Sequence, residues 1–459
     1  MVTKTRILIS INIAAVMVLM DLSAINLALP SIRQHFQLSV FEVSLILMSS
    51  MLTATGFALV VGKLIETCKS GRILLISFLL FGLTSGLSSL CTHFYLLLSL
   101  RFIQGIAEAG LYVIGPALIK KHMDQHLQQK EYGRWMMSCG LGISIGPIIA
   151  AFLLQYFSWS AVFLINVPLA AMGIYFSWNL DREIVFKQQQ HRFDYAGALF
   201  SFLFLAFFII TFNMLLSAFG TSSMWTWVSA TISMVFLYSF IKREKRIDKA
   251  LVDLQLFKMN NFRLANLGFY LFFLINVGSR FLRPFYFEEA RGLMHYQSGL
   301  LMMISPLIML VVSAFIHKIK TYFTTRQLHL TGNALLSLSM LMFSFWDVER
   351  SMPFIILSMV ILGLAMGIYY PTTTQLGMSS LPEGSHGGGS AIMSISKSLG
   401  KLMGVLFFSL IFQILLQSFS SNFSSEILLK SRAIQYVFIA AFTVSLINLF
   451  ISFFTNKTA

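Results

Sequence analysis

Residues 94–119 read FYLLLSLRFIQGIAEAGLYVIGPALI, an apolar run broken only by the charges Arg101 and Glu108. About 20 residues rising 1.5 Å each cross the roughly 30 Å hydrocarbon core of a bilayer, and a helix satisfies its own backbone hydrogen bonds there. The run therefore predicts a membrane-spanning helix. Runs of the same kind recur at 7–30, 41–65, 72–91, 135–156 and 160–180, then at 195–216 and 224–241, and finally at 262–285, 296–316, 328–346, 353–376, 389–416 and 433–454. Composition agrees, because 57% of the 459 residues are hydrophobic and 11% charged, against about 25% charged in soluble chains. The fold class expected is all-α integral membrane, with fourteen spans.

The net charge of +15 could suit nucleic acid, but its distribution argues otherwise. With the N-terminus inside, the loops on that side hold 23 of the 33 Lys and Arg. Seven lie opposite (Arg33, Arg280, Arg283, Arg291, Arg350, Lys430, Arg432), and Arg101, Lys397 and Lys401 lie within spans. That bias is the positive-inside rule, so the chain is expected to be multi-pass with both termini cytoplasmic and no nucleic-acid partner. The basic segment 242–263 reads as a topology determinant beside anionic lipid. Cys68, Cys91 and Cys139 have no metal spacing and read as small reduced core residues. The first run is too long for a signal peptide's apolar region and lacks a small-residue cleavage site, so it counts as a span. No G-x-x-x-x-G-K-[ST] loop occurs, which excludes ATP as a direct energy source, and no nucleophile-base or metal constellation suggests an enzyme.

The first six and last six spans show weak self-similarity. Gln104-Gly105-Ile106-Ala107 in span 4 aligns with Leu362-Gly363-Leu364-Ala365 in span 12, and the entry to span 2 at 38–42 resembles the entry to span 10 at 293–297. Gly142 and Gly146 in span 5 match Gly400 and Gly404 in span 13. Three matches in register predict a duplicated unit: a six-helix bundle at 1–180, a linker and inserted helix pair at 181–261, and a second six-helix bundle at 262–459.

Charges within spans carry the functional reading, since each is costly in lipid unless paired or facing water. Asp21, the one acid of span 1, lies about 21 Å from the start of its helix, and Arg101 about 10 Å from the opposite surface. On a core of roughly 30 Å these depths coincide, so the two are expected to pair. The pair reads equally as a structural ion pair or as a proton site tuned by a neighbouring cation. Glu108, two turns beyond Arg101 on nearly the same face, reads as a proton or cation site ahead of a merely hydrogen-bonded acid. Small residues at Gly142 and Gly146 followed by Pro147 suit close helix packing and a bend.

At this point the residues resemble a family. Arg101-x-x-Gln104-Gly105, Gly142-x-x-x-Gly146-Pro147 and Asp21-x-x-x-x-Asn26-x-Ala28-Leu29-Pro30 resemble the helix 4, 5 and 1 signatures of major facilitator superfamily drug/proton antiporters. Trp159-x-x-x-Phe163-x-x-Asn166-x-Pro168 is similar to the mark of the fourteen-helix branch, which exports tetracyclines, quaternary ammonium compounds, dyes and quinolones. The resemblance implies two bundles rocking around a midplane cavity, proton entry driving substrate exit, and a Gly-Pro motif tied to antiport. Glu108 departs from the family, whose residue there is small. The cytoplasmic gate loop also departs: Gly62-x-Leu64-x-Glu66 keeps an acid, while Gly71-Arg72 arrives two residues late.

Asn26, Gln104, Arg283, Tyr369 and Tyr370 are the candidate cavity residues. Lys397 and Lys401, four apart in span 13, are buried cations that weigh against purely cationic substrates. The group Arg280, Arg283, Glu288, Glu289 and Arg291 reads as a solvated rim network. The expectation is a monomeric exporter of small amphipathic compounds in a bacterial inner membrane, driven by the proton gradient without a cofactor. An exporter of one endogenous metabolite, or a receptor on the same fold, is the alternative.

Overall fold

The computed structural model describes residues 2–67, 70–178, 180, 195–217, 224–244, 254–382, 386–419 and 425–455. Among them every regular element is helical, the form that closes backbone hydrogen bonds in lipid. The first group comprises α1 (Val2–Phe36), α2 (Val40–Thr67), α3 (Ser70–Ser89), α4 (Phe94–His122), α5 (Gln125–Tyr156), α6 (Ala161–Leu164) and α7 (Asn166–Ser177). A pair follows, α8 (Tyr195–Ser217) and α9 (Met224–Glu244). The last group comprises α10 (Asn260–Pro284), α11 (His295–Ile319), α12 (Thr325–Ser344), α13 (Met352–Ser379), α14 (His386–Phe419) and α15 (Glu426–Phe453), with a π turn, Phe285–Ala290, after α10. With α6 and α7 counted together the described helices supply fourteen spans, as expected. The predicted linker residues 181–194 and most of 242–253 lie outside the described residues.

The sixth span is broken where a single helix was expected. Pro168 has no N–H to give the carbonyl of Leu164, and the helix interrupts at Ile165 between α6 and α7. Pro284 acts likewise on the carbonyl of Arg280. That vacated acceptor is taken by the Asn26 amide of α1, whose Nδ2 donates to it at 2.9 Å.

Close helix approach depends on the absence of side chains. A Cβ on Gly142 would lie 2.6 Å from the Val16 carbonyl oxygen, and one on Gly146 would lie 2.7 Å from that of Met20, so α5 rests directly on the backbone of α1. Gly400 and Gly404 seat α14 in the same way on the backbone of α10 at Tyr270 and Leu274. Gly105 brings α4 onto Ser50 and Thr53 of α2, and Gly363 brings α13 onto Ser305 and Ile308 of α11. Positions that match in sequence thus make matching contacts in space.

The two groups meet along α5 with α11, α2 with α14, and α1 with α10. Gly299 of α11 packs on Ala151 and on the carbonyl of Pro147, Ser44 donates to Ser409 at 3.3 Å, and Arg33 pairs with Glu289 at 2.6 Å. These contacts gather at the end of the bundle that holds the α1–α2 turn. The inserted pair sits outside: Phe202 of α8 lies against Gly56 of α2 and the rings of Phe57 and Phe102, while Met224, Trp225 and Trp227 of α9 are mostly exposed, as lipid-facing residues are.

Overpacking of such a contact costs about 1–3 kcal/mol. Gly146→Leu is therefore expected to lower the melting temperature of the detergent-solubilised protein, whereas Gly62→Ala, whose Cβ meets nothing within 4 Å, is expected to leave it unchanged. Equal melting curves for the two variants would contradict the close approach of α1 and α5.

Candidate functional site

Arg101 is fully buried, and its guanidinium cannot be deprotonated away. Its surroundings are built accordingly. Nη1 donates to Asp21 Oδ2 at 2.9 Å and to Gln104 Oε1 at 2.8 Å, and Nη2 donates to Ser50 Oγ at 3.3 Å. The second Asp21 oxygen accepts from Asn166 Nδ2 at 2.6 Å. Asn166 and Gln104 both donate to Ser85 Oγ, at 3.2 and 2.9 Å. The Phe163 ring lies 6.0 Å from the guanidinium carbon. Residues of α1, α2, α3, α4, α6 and α7 thus close around one charge.

Glu108 adjoins this cluster without completing it. Its Oε1 stands 3.8 Å from Arg101 Nη2, beyond hydrogen-bond length, and its side chain is 11% exposed against 0% for Arg101. One guanidinium therefore faces two carboxylates, the first bonded and the second held at arm's length. With both acids ionised the array carries a net charge of −1; one proton makes it neutral.

The predicted pairing of Asp21 with Arg101 and the convergence of Gln104 and Glu108 are what the structure shows. It adds Ser50, Ser85 and Asn166. Only Asn166 had a signal, as a member of the Trp159-x-x-x-Phe163-x-x-Asn166-x-Pro168 motif. Asn26 braces the joint with α10. Two candidate cavity residues lie elsewhere: Tyr369 is wholly buried, stacked on Phe272 at 4.7 Å and hydrogen-bonded by Asn448, and Arg283 is 2% exposed, over the Phe343 ring at 5.2 Å with Nη2 donating to Ser279.

Tyr370 is half-buried, and its hydroxyl accepts from Lys397 Nζ at 3.1 Å. Lys397 lies over the rings of Phe269 and Tyr370 at 4.6 and 4.7 Å, and Lys401 over Phe273 at 5.4 Å. Among the described residues no carboxylate lies within ion-pair distance of Lys397, Lys401, Arg280 or Arg283. Cation–π contacts contribute about 0.5–2 kcal/mol each, less than the several kcal/mol that desolvating an ion costs.

The anticipated rim network has different members. Glu289 binds Arg33 of α1 and Lys430 of α15, both beyond the predicted set, at 2.6 and 2.9 Å. Glu288 meets His295, and Arg291 donates to the Arg350 carbonyl. Of the gate loop, Gly62 and Glu66 fall in α2 and Gly71 and Arg72 in α3, while Cys68, Lys69 and the Glu66 side chain lie outside the described residues. Cys91 and Cys139 are free and buried. At the far end of the first group Lys4 donates to both Asp124 oxygens at 3.1 and 2.9 Å, holding that carboxyl below its usual range.

A buried ion cluster inside one of two packed groups of apolar helices suits a membrane transporter, and comparison with known proteins agrees. Residues 11–405 match the model of the Major Facilitator Superfamily, and the chain belongs to that family. It is 25% identical over 396 residues to the riboflavin transporter RibZ of Clostridioides difficile, covering 86% of this chain and 85% of that protein. It is 26% identical over 388 residues to the putative multidrug resistance protein MdtD of Pectobacterium carotovorum, covering 83% and 81%. In fold it is similar to a POT family transporter crystallised with 5-aminolevulinic acid, with a TM-score of 0.73 at 14% identity, over 98% of this chain and 96% of that one. The chain is thus a multi-pass transporter of small molecules, not an enzyme.

Breaking a buried pair by removing one partner costs about 3–5 kcal/mol. Arg101→Gln and Asp21→Asn are each expected to destabilise the solubilised protein by that order, and the double variant by less than their sum. Strictly additive losses in melting experiments would show that the two charges do not depend on each other.

Proposed function

We propose that the protein is a proton-coupled exporter of small amphipathic compounds, working by alternating access between residues 1–180 and 262–459. The observation that carries this reading is Glu108, a second carboxylate placed 3.8 Å from a guanidinium already paired with Asp21. A structural ion pair needs only one acid. The extra one gives the array a place to take up and release a single proton, and with it a change of charge inside the first group of helices.

Asp21 and Glu108 are the proposed proton carriers, with Arg101 setting the balance between them. The proton gradient is the energy source, and the protein acts as a monomer in a bacterial inner membrane with both termini cytoplasmic. Similarity to multidrug resistance proteins supports outward movement of toxic organics. Similarity to RibZ supports a second reading, a transporter dedicated to one metabolite of the riboflavin kind.

The test is proton flux in proteoliposomes holding a pH-sensitive dye, with aromatic cations, neutral compounds and anions added in turn. The wild type is expected to couple at least one of these compounds to proton movement. Glu108→Gln should lower coupled flux at least about tenfold while leaving gradient-free exchange of the compound measurable. Full coupling in both Asp21→Asn and Glu108→Gln would falsify the assignment.

A further inference from the structure

Two arginines of α10 turn into the protein without an acid to meet them. By sequence Arg280 and Arg283 fall at the outer surface, but in the structure Arg283 is 2% exposed and Arg280 is half-buried. At 3.6 residues per turn, Asn276, Ser279, Arg280 and Arg283 fall within about 100° of one another around the helix axis. The opposite side, at Gly278, rests on Phe408 and the Gly404 carbonyl of α14. Four polar side chains therefore share one face of α10, two of them charged alike.

Their hydrogen bonds leave donors over. Arg280 Nη2 donates to Asn276 Oδ1 at 3.3 Å, and Arg283 Nη2 donates to Ser279 Oγ at 3.2 Å. Asn276 Nδ2 and Arg283 Nε are buried and have no acceptor among the described residues. The acids next along the chain are engaged elsewhere, Glu288 with His295 and Glu289 with Arg33 and Lys430. The Phe343 ring gives Arg283 only its face, at 5.2 Å. A helix C-terminus favours a cation within its last turn, but the π turn Phe285–Ala290 carries the chain's helical hydrogen bonding beyond Arg283. Water accepts from spare donors, yet it leaves two like charges one turn apart, and neither guanidinium can shed its proton.

We propose that this face of α10 binds one small inorganic anion of the chloride kind, held by Arg280, Arg283 and the Asn276 amide. The anion takes the orphaned Nε–H and Nδ2–H and supplies the counter-charge that no acid provides. Burial of Asn276 and Arg283 to 2% exposure favours a bare ion over a carboxylate carrying an organic body. The site is separate from the cluster around Arg101, and it does not depend on the exporter reading.

The test is equilibrium binding of radioactive chloride to the full-length purified protein, in gluconate buffer at constant ionic strength. The wild type is expected to bind one chloride saturably, with displacement by bromide and nitrate and not by benzoate, and its melting temperature should rise with chloride. Arg280→Gln and Arg283→Gln should each weaken binding at least about tenfold. Asn276→Asp places the negative charge on the chain itself. It should bind no chloride and melt at the same temperature in chloride as in gluconate, a loss of dependence that a merely structural arginine face would not show. Arg350→Gln, which loses only an outer pair with Asp347, should bind chloride as the wild type does. If an arginine variant fails to fold, the wild-type titration and Asn276→Asp decide. Absence of saturable chloride binding by the wild type, displacement by benzoate at lower concentration than bromide, or chloride dependence that survives in Asn276→Asp overturns the proposal.

Discussion

One guanidinium organises the first half of this protein. Arg101 keeps its charge wherever it is placed, so a helix that carries it through a bilayer must find partners on other helices. Asp21 of α1 and Ser50 of α2 supply them, Gln104 adds one from the same helix, and Asn166 and Ser85 hold Asp21 and Gln104 in place. Each link fixes the rotation of one helix about its axis. The links close only if α1 stands within reach, and α1 is brought there by α5, whose glycines let backbone meet backbone at Val16 and Met20. The Ser23 hydroxyl, bonded to the Gly142 carbonyl at 3.3 Å, ties that contact to the helix turn next to Asp21.

Prolines set where the halves touch. A proline in a helix vacates a carbonyl one turn earlier, and at Arg280 that carbonyl is bonded by Asn26 from the opposite half. Pro147 turns its own carbonyl toward Gly299, again across the joint. At Arg280 the contact satisfies a carbonyl that the helix ladder no longer does, so that acceptor depends on the opposite half for its partner. With the Arg33–Glu289 pair at the same end, the joint there consists of a few polar contacts over small residues.

Much of this was legible in the sequence, and the limits have physical causes. Fourteen spans follow from apolar length alone. The Asp21–Arg101 pair follows from depth, because helices of opposite direction bring two distant positions to one level. The glycine pairs at 142/146 and 400/404 announced their role because their spacing is that of a helix face. What could not be read was helix rotation. Serines occur along most spans, and nothing in the chain singles out Ser50 and Ser85 as the ones turned toward Arg101. For the same reason Tyr369 and Arg283, placed by sequence at a cavity, lie inside the second half against Phe272 and Phe343. Glu289 finds Arg33, 256 residues away, a pairing set by how the halves dock rather than by either alone.

The repeat that duplicated the helices has kept their contacts and separated their chemistry. Gly105 and Gly363 do the same work in the two halves, while Arg101, beside the first, has no counterpart near the second: the stretch that aligns with Gln104-Gly105 begins Leu362-Gly363. The second half instead places its charge on α14, as Lys397 and Lys401. The acids Asp21 and Glu108 stand beside Arg101 in the first half, while Lys397 and Lys401 of the second lie over aromatic rings. Close packing needs the glycines in both halves, so the repeat keeps them; it makes no such demand on the buried charges, and these are what distinguish one half from the other.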